Sequence, residues 1–325
     1  MKKVYKVFLI ATILVALAMF TACGGDDDDV IITPENYRVN MAVLPGPSAI
    51  GSLWLMGGEN AYDIQVLGSP EEVGPMLAQG LVDIAAVPTN MASVLYNNLP
   101  GGVTVLALST MGVLHILDTT GEIASVEDLR GRTIHLSGMG AAPEFVLNYV
   151  LSQNGLTPDV DVFLEFHGEQ PQIAALLAQG VAEIALLPEP FATTVLMQND
   201  HVSHALDLTE EWGKVADTGL VMTAIVVRNA FLNENPQAVS NFMVDFDLSI
   251  QFVQQNVAEA AELAVEFGII PNPNIAMQAI PRTNQTFIAG VDMERYVMGY
   301  LSVLYNQLPQ SVGGSLPSEQ FFYRP

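Results

Sequence analysis

Thiols are almost absent: Cys23 is the single cysteine in 325 residues. That excludes an internal disulfide, a thiolate metal site and a cysteine nucleophile in the folded part. Positive charge is scarce as well, with 11 Lys and Arg against 35 Asp and Glu and a formal charge of −24. Nucleic-acid binding needs a basic surface to neutralise phosphates, so neither DNA nor RNA is an expected partner. Docking on anionic lipid by charge alone is excluded on the same ground. Only 14% of residues are charged and half are apolar, which rules out global disorder and permits a large core. An acidic surface of this kind keeps a chain soluble and monomeric. Catalytic signatures are missing too. There is no Gly-x-Ser-x-Gly elbow and no Walker A loop, and Gly138-Met139-Gly140 begins a dinucleotide fingerprint that Pro143 interrupts. The five histidines (His115, His135, His167, His201, His204) form no His-Glu-x-x-His or Cys/His pattern, so neither a metal nor a cofactor is expected.

What is present begins with a segmented N-terminus. Lys2, Lys3 and Lys6 lead into an apolar run from Val7 to Phe20, shorter than the roughly 20 residues a bilayer crossing needs. This is the layout of a secretory signal. Phe20-Thr21-Ala22-Cys23 resembles a bacterial lipobox, with Phe where Leu is usual. The resemblance implies a signal peptide over 1–22 and lipidation of Cys23 as the mature N-terminus. The protein would then be anchored on the outer face of the cell membrane or facing the periplasm. Residues 23–36, with Gly24-Gly25 and Asp26 to Asp29, read as an acidic tether. The Asp quartet lacks the spaced ligands and turn glycine of a calcium loop.

From Tyr37 onward, short β-branched runs alternate with helical stretches, which predicts α/β units around mainly parallel sheets. Strands are expected at 38–44, 63–67, 83–87, 104–109, 113–117, 133–136, 161–166, 183–187 and 220–227. Helices are expected between them, and the chain turns strongly helical after 227. Ser125-Val126-Glu127-Asp128 has the form of a capping box. An internal repeat organises the whole. Leu77-Ala78-Gln79-Gly80, Asp83-Ile84-Ala85 and Pro88 recur as Leu177-Ala178-Gln179-Gly180, Glu183-Ile184-Ala185 and Pro188. Two copies so far apart are too few for a solenoid and read as two similar α/β lobes.

Open α/β sheets bind ligands at the carboxyl ends of their strands, where helix N-termini offer unpaired N–H groups. The first lobe supplies Pro45, Gly46 and Ser48, then Gly68 and Ser69, then Thr89 and Asn90. The second supplies Ser137, Gly138, Met139 and Gly140, and also Glu189. Small residues permit close backbone approach, and hydroxyls or amides orient a ligand. Such loops are also what ordinary strand–helix turns use. None of them carries Arg or Lys, so no guanidinium clamp on an anion is visible. Glu189 could accept from an amine or could serve its own helix N-terminus. Trp54, Phe191 and Trp212 are candidates to border a cleft, although such aromatics are commonly core.

The two Ala-Gln-Gly-x-x-Asp/Glu-Ile-Ala segments, with Ser125-Val126-Glu127-Asp128-Leu129-Arg130-Gly131-Arg132-Thr133 between them, resemble type II periplasmic binding proteins. The branch they are similar to binds nitrate, sulfonates, taurine and thiamine-pyrimidine precursors. The resemblance implies a two-lobed Venus-flytrap fold crossed twice, near Glu122 to Ser125 and near Thr218 to Met222. Lobe I would comprise 37–123 and 222–325, and lobe II 124–221. It implies an ABC importer's substrate-binding protein, not an enzyme, that passes a small-molecule ligand to an ABC permease and ATPase complex. A sensory binding protein and a pyrimidine-precursor enzyme on the same fold are the alternatives. The absent cleft arginine favours an uncharged or zwitterionic organic ligand over a simple inorganic anion.

Overall fold

A computed structural model describes residues 38–58 and 61–324. The signal, lipobox and tether expectations lie outside the described residues. Among the described residues eleven strands form two sheets: β1 (Val39–Val43), β2 (Tyr62–Val66), β3 (Ile84–Pro88), β4 (Val103–Met111), β10 (Val221–Arg228) and β11 (Gln285–Ile288) make the first, in the order β11-β4-β10-β3-β1-β2. The second is β7-β6-β8-β5-β9, from β5 (Leu114–Asp118), β6 (Thr133–Ser137), β7 (Phe163–His167), β8 (Ile184–Pro188) and β9 (Ser203–Asp207). Helices cover both: α1 (Pro47–Ile50), α2 (Leu53–Gly57), α3 (Val73–Gln79), α4 (Thr89–Asn98), α5 (Ala142–Gln153), α6 (Gln170–Ala178), α7 (Phe191–Gln198) and α8 (Leu208–Val215). The C-terminal group is α9 (Asn229–Glu234), α10 (Pro236–Gln255), α11 (Val257–Glu266), α12 (Pro273–Ala279) and α13 (Gly290–Gln307). Among the described residues no helix is long and apolar enough to cross a membrane.

The repeat occupies equivalent places in the two sheets. In each copy a helix ends at a left-handed glycine, Gly80 at φ 70° or Gly180 at φ 67°, and the chain turns into a central strand. Glycine takes that conformation without the steric penalty other residues incur. The strand, β3 or β8, then has a parallel neighbour on one side (β1, β6) and an antiparallel one on the other (β10, β5).

The antiparallel neighbour comes directly from the opposite sheet. The chain leaves β4 of the first sheet at Met111 and enters β5 of the second at Leu114, then returns between Val215 and Val221. The first passage thus precedes the one expected near Glu122 to Ser125. A boundary at 123 assigns Leu114–Asp118 to lobe I, whereas the strand pairs with β8 and β9 of the second sheet. Ser125 opens a capping box as expected, its N–H reaching Asp128 Oδ2 at 2.8 Å, but inside the second sheet's own connections. Strands β9 and β11 and helix α8 were not anticipated.

Core side chains fall into three groups. One lies between the first sheet and α1, α2, α10, α11 and α12; another lies under α6 and α7 on the second sheet. The largest continues from the other face of the first sheet into the second. Trp212 of α8 sits in it fully buried, 4.7 Å from the Tyr149 ring and 6.0 Å from that of Tyr300, and donates to Thr218 O. This aromatic is core rather than a cleft border.

The two copies keep an acidic residue but differ in its burial. Buried Asp83 accepts from Asn40 N–H at 3.1 Å, Asn40 Nδ2 at 3.0 Å and Arg228 Nη2 at 3.0 Å. Its counterpart Glu183 has a side chain 63% exposed and stands 3.7 Å from Arg132. Removing one partner of a buried pair leaves the other uncompensated, whereas exposed pairs contribute little. Asp83→Ala should therefore cost about 3 kcal/mol in urea unfolding, and Glu183→Ala less than about 0.5 kcal/mol. Equal costs would contradict this account of the two positions.

Candidate functional site at the seam of the sheets

Strand register lines up a polar row at the end of the first sheet. β3 ends in Pro88 and runs straight into Thr89, the first residue of α4. Thr223 of β10 lies opposite both Pro88 and Thr110 of β4, and Thr110 lies opposite Gln285 of β11. Thr89, Thr223, Thr110 and Gln285 are all buried. Thr89 Oγ1, Thr110 Oγ1 and Gln285 Oε1 have no hydrogen-bond partner within the protein. Gln285 is held by its other end, Nε2 donating to Pro47 O at 2.9 Å. A buried polar atom left unpaired costs about 1–3 kcal/mol, so this row suits a polar occupant.

A matching row ends the second sheet. Pro188 lies opposite Leu114, and His115 opposite Leu187 and Asp207. Glu189 follows Pro188, its side chain wholly buried. Glu189 Oε2 accepts from the Thr193 N–H at 3.2 Å, while Oε1 lies 3.0 Å from Arg282 Nε and 3.6 Å from His115 Nε2. Arg282 ends the 3₁₀ turn Ile280–Arg282 that precedes β11, so this ion pair joins the two sheets. Burial pushes the Glu189 carboxyl pKa up, opposed by Thr193 and by Arg282. Burial outweighs Asp207 at His115 and lowers its pKa to about 4, so the ring is neutral near pH 7. Its Nδ1 lies 3.0 Å from His204 Nε2.

Arg282 stands between two cavities. One, about 610 Å³, is lined by polar groups including His115, His204, Asp207, Glu210 and Lys214. The other, about 340 Å³, is lined by Thr193, Leu196, Met197 and Gln278. A further cavity of about 570 Å³ lies away from the seam, between Leu232–Pro236 and the C-terminal segment. Its one cation, Arg324, is already paired with Glu294 and Glu319.

Of the residues the sequence singled out, Thr89 and Glu189 stand in the two rows. Glu189 combines the local role with a cross-sheet one, serving Thr193 of its own helix with one oxygen and Arg282 with the other. The remaining loop residues are engaged nearby or lie open. Ser48 Oγ donates to Leu44 O at 2.6 Å, Ser69 caps the turn at Pro70 with Glu72, and Asn90 Nδ2 holds Ser311 O at 3.2 Å. Pro45 and Gly68 are exposed, and Gly46 has φ 86°. Ser137 is buried at the end of β6; Gly138 follows at φ 84°, Met139 is 72% exposed, and Gly140 N–H donates to Glu144 at 2.6 Å. Sequence reasoning missed Thr110, Thr223, Gln285, His115 and Arg282. The first four lie on strands whose sheet neighbours are remote in the chain. Arg282 supplies the guanidinium that no strand–helix loop contains. The one local signal was the polar run Pro281-Arg282-Thr283-Asn284-Gln285 within a helical region.

The model of the NMT1/THI5-like family matches residues 63–260, more than half of the chain. No curated protein sequence gives a significant match. Among solved structures, an ABC transporter protein from Parabacteroides distasonis is similar at TM-score 0.75 and 23% identity, over 88% of this chain and 98% of that one. The periplasmic aliphatic sulphonate binding protein of Escherichia coli is similar at TM-score 0.72 and 13% identity, over 88% and 92%. The periplasmic nitrate-binding protein of Synechocystis is similar at TM-score 0.53 and 15% identity, over 72% and 69%. These likenesses establish the two-sheet fold of periplasmic binding proteins.

The Glu189–Arg282 pair can be tested by a double-mutant cycle. Arg282→Met leaves a buried carboxylate without its cation and should cost about 2 kcal/mol, less than a fully buried pair because the arginine side chain is 37% exposed. In a Glu189→Gln background the same change should cost well under half of that. Additive costs in urea unfolding would show the two groups to be uncoupled.

Proposed function

The chain belongs to the NMT1/THI5-like family, and from that membership and the polar seam we propose that it is an extracytoplasmic solute-binding component of an ABC importer. The observation that carries this reading is the polar row ending the first sheet, where buried Thr89 Oγ1, Thr110 Oγ1 and Gln285 Oε1 lack partners within the protein, facing the Glu189–Arg282 pair of the second. A small polar molecule held between the sheets would supply those partners, and delivery to a permease would follow from the closed form. The structurally similar Escherichia coli and Synechocystis proteins are described as binding aliphatic sulphonate and nitrate. Here the seam presents both signs of charge, with Arg282 for an anionic end and Glu189, Asp207 and Glu210 for a cationic one. The proposed solute is therefore a small zwitterionic or amine-bearing organic compound.

The lobes follow the two sheets, with boundaries near Met111–Leu114 and Val215–Val221. The loop residues Pro45, Gly46, Ser48, Gly68, Ser69, Asn90, Ser137, Gly138, Met139 and Gly140 remain the proposed walls of the cleft, with Thr89 and Glu189 in its polar rows. Residues 1–22 act as the signal and Cys23 carries the lipid that holds the protein at the membrane.

A thermal-shift screen with amino acids, aminosulfonates, sulfonates, nitrate and aminopyrimidines should find a zwitterionic or amine-bearing ligand that raises Tm. Thr110→Val and Gln285→Leu should each weaken it about tenfold, the worth of one hydrogen bond. At saturation the radius of gyration from small-angle scattering should fall. Stabilisation by nitrate or simple sulfonates alone would sink the ligand class, and an unchanged profile would sink lobe closure. Separately, Cys23→Ser should move the protein from the membrane fraction to the soluble one; retention at the membrane would refute the lipid anchor.

A further inference from the structure

We propose that His135, Glu165 and His167 form a binding site for a single zinc-class divalent ion on the second sheet. Parallel pairing of β6 with β7 sets His135 directly opposite Glu165, and His167 follows two residues on, along the same face of β7. Alternation along a strand puts residues i and i+2 on one side. Their ligand atoms converge. His135 Nδ1 and His167 Nε2 are 2.9 Å apart, and Glu165 Oε1 is 3.8 Å from the first and 3.7 Å from the second. The two imidazoles are stacked at 22° with centroids 5.2 Å apart.

These three separations define where an ion would sit. A point equidistant from all three atoms lies about 2.0 Å from each, the length of a Zn–N or Zn–O bond. The angles subtended there are about 90° between the imidazoles and about 130–140° to the carboxylate, so an ion at that point lies in the plane of the three donors, and a small outward shift with water as a fourth ligand is needed for the four-coordinate geometry zinc adopts. A facial triad for iron would instead need three angles near 90°. Both imidazole side chains are about nine-tenths buried while the carboxylate is 57% exposed. The site thus has a fixed floor and an adjustable third ligand, with room on the open side for water. Nitrogen, nitrogen and oxygen donors suit zinc, nickel or copper rather than calcium or magnesium.

β7 is the outer strand of its sheet, bonded only to β6, and its last residue His167 leads through Gly168-Glu169 into α6. A bound ion would staple that edge strand and fix the loop after it. In the ordinary alternative, the histidines only share one proton in a hydrogen bond. A local motif search misses the set because its ligands lie on two strands.

The test uses the full-length chain, purified in detergent without a polyhistidine tag and stripped of metal. Titration with zinc chloride, read by calorimetry and by elemental analysis after desalting, should give one ion per chain. Cobalt should give the visible absorption of a tetrahedral N/O site. His135→Ala and His167→Ala should abolish stoichiometric binding. Glu165→Gln, at an exposed position that does not threaten folding, should weaken it about 10- to 100-fold, and His201→Ala, elsewhere on the surface, should leave it unchanged. No bound zinc, or zinc that survives Glu165→Gln and either histidine change in a folded variant, would overturn the proposal.

Discussion

The arrangement of the site depends on how the chain passes between the sheets. A strand of one sheet is followed almost at once by a strand of the other, β4 by β5 across Gly112-Val113, each the second strand in from an edge. So short a passage holds the two strand ends beside one another. It also requires close packing: a Cβ on Gly112 would collide with the Thr209 side chain and lie 2.9 Å from Leu220 Cδ2. Asn284 Nδ2 caps the same point by donating to Gly112 O at 2.6 Å. The strand ends that carry Thr110 and His115 are consequently neighbours, and the polar rows extend from them on either side.

Given that juxtaposition, the electrostatics follow from burial. Glu189 sits at the foot of α7, where a carboxylate is favoured by the first-turn N–H groups, yet the site is dry enough to raise its pKa. The Arg282 guanidinium offsets part of that cost, and does so from the other sheet. It engages through Nε, the inner nitrogen of a fork whose outer nitrogens match a carboxylate or sulfonate. His115 is close to the same carboxylate but neutral, so the local charge balance rests on one arginine.

Much of the fold could be read from the sequence because its information is local. The Ala-Gln-Gly copies encode a helix, a left-handed turn and a strand within a dozen residues, and both copies fold alike. Membership of a sheet is different information. Leu114–Asp118 has the pattern of a buried strand in either sheet, and only its pairing with Leu187 and Leu206 decides the matter. The capping box at Ser125 looked like a boundary because it starts a new element, which is all that a capping box specifies. The same limit applies to the site. Thr89 and Glu189 are legible since they stand where a strand hands over to a helix. Arg282 reaches Glu189 from 93 residues away, and no spacing rule relates them.

The continuous core constrains how two such lobes could move. Trp212 packs between Tyr149 of α5 and Tyr300 of α13, so its ring bridges elements that flank different sheets. Separating them would expose aromatic surface at about 25 cal/mol per Å², and would also break the indole bond to Thr218. The Glu189–Arg282 contact has no comparable apolar seal. Arg282 is partly exposed and borders a cavity on each side. The cheap displacement is therefore one that pivots near Trp212 and opens at Glu189. That places the Glu189–Arg282 bridge, the one ion pair between the sheets among the described residues, where the proposed solute would replace each partner's contact with its own.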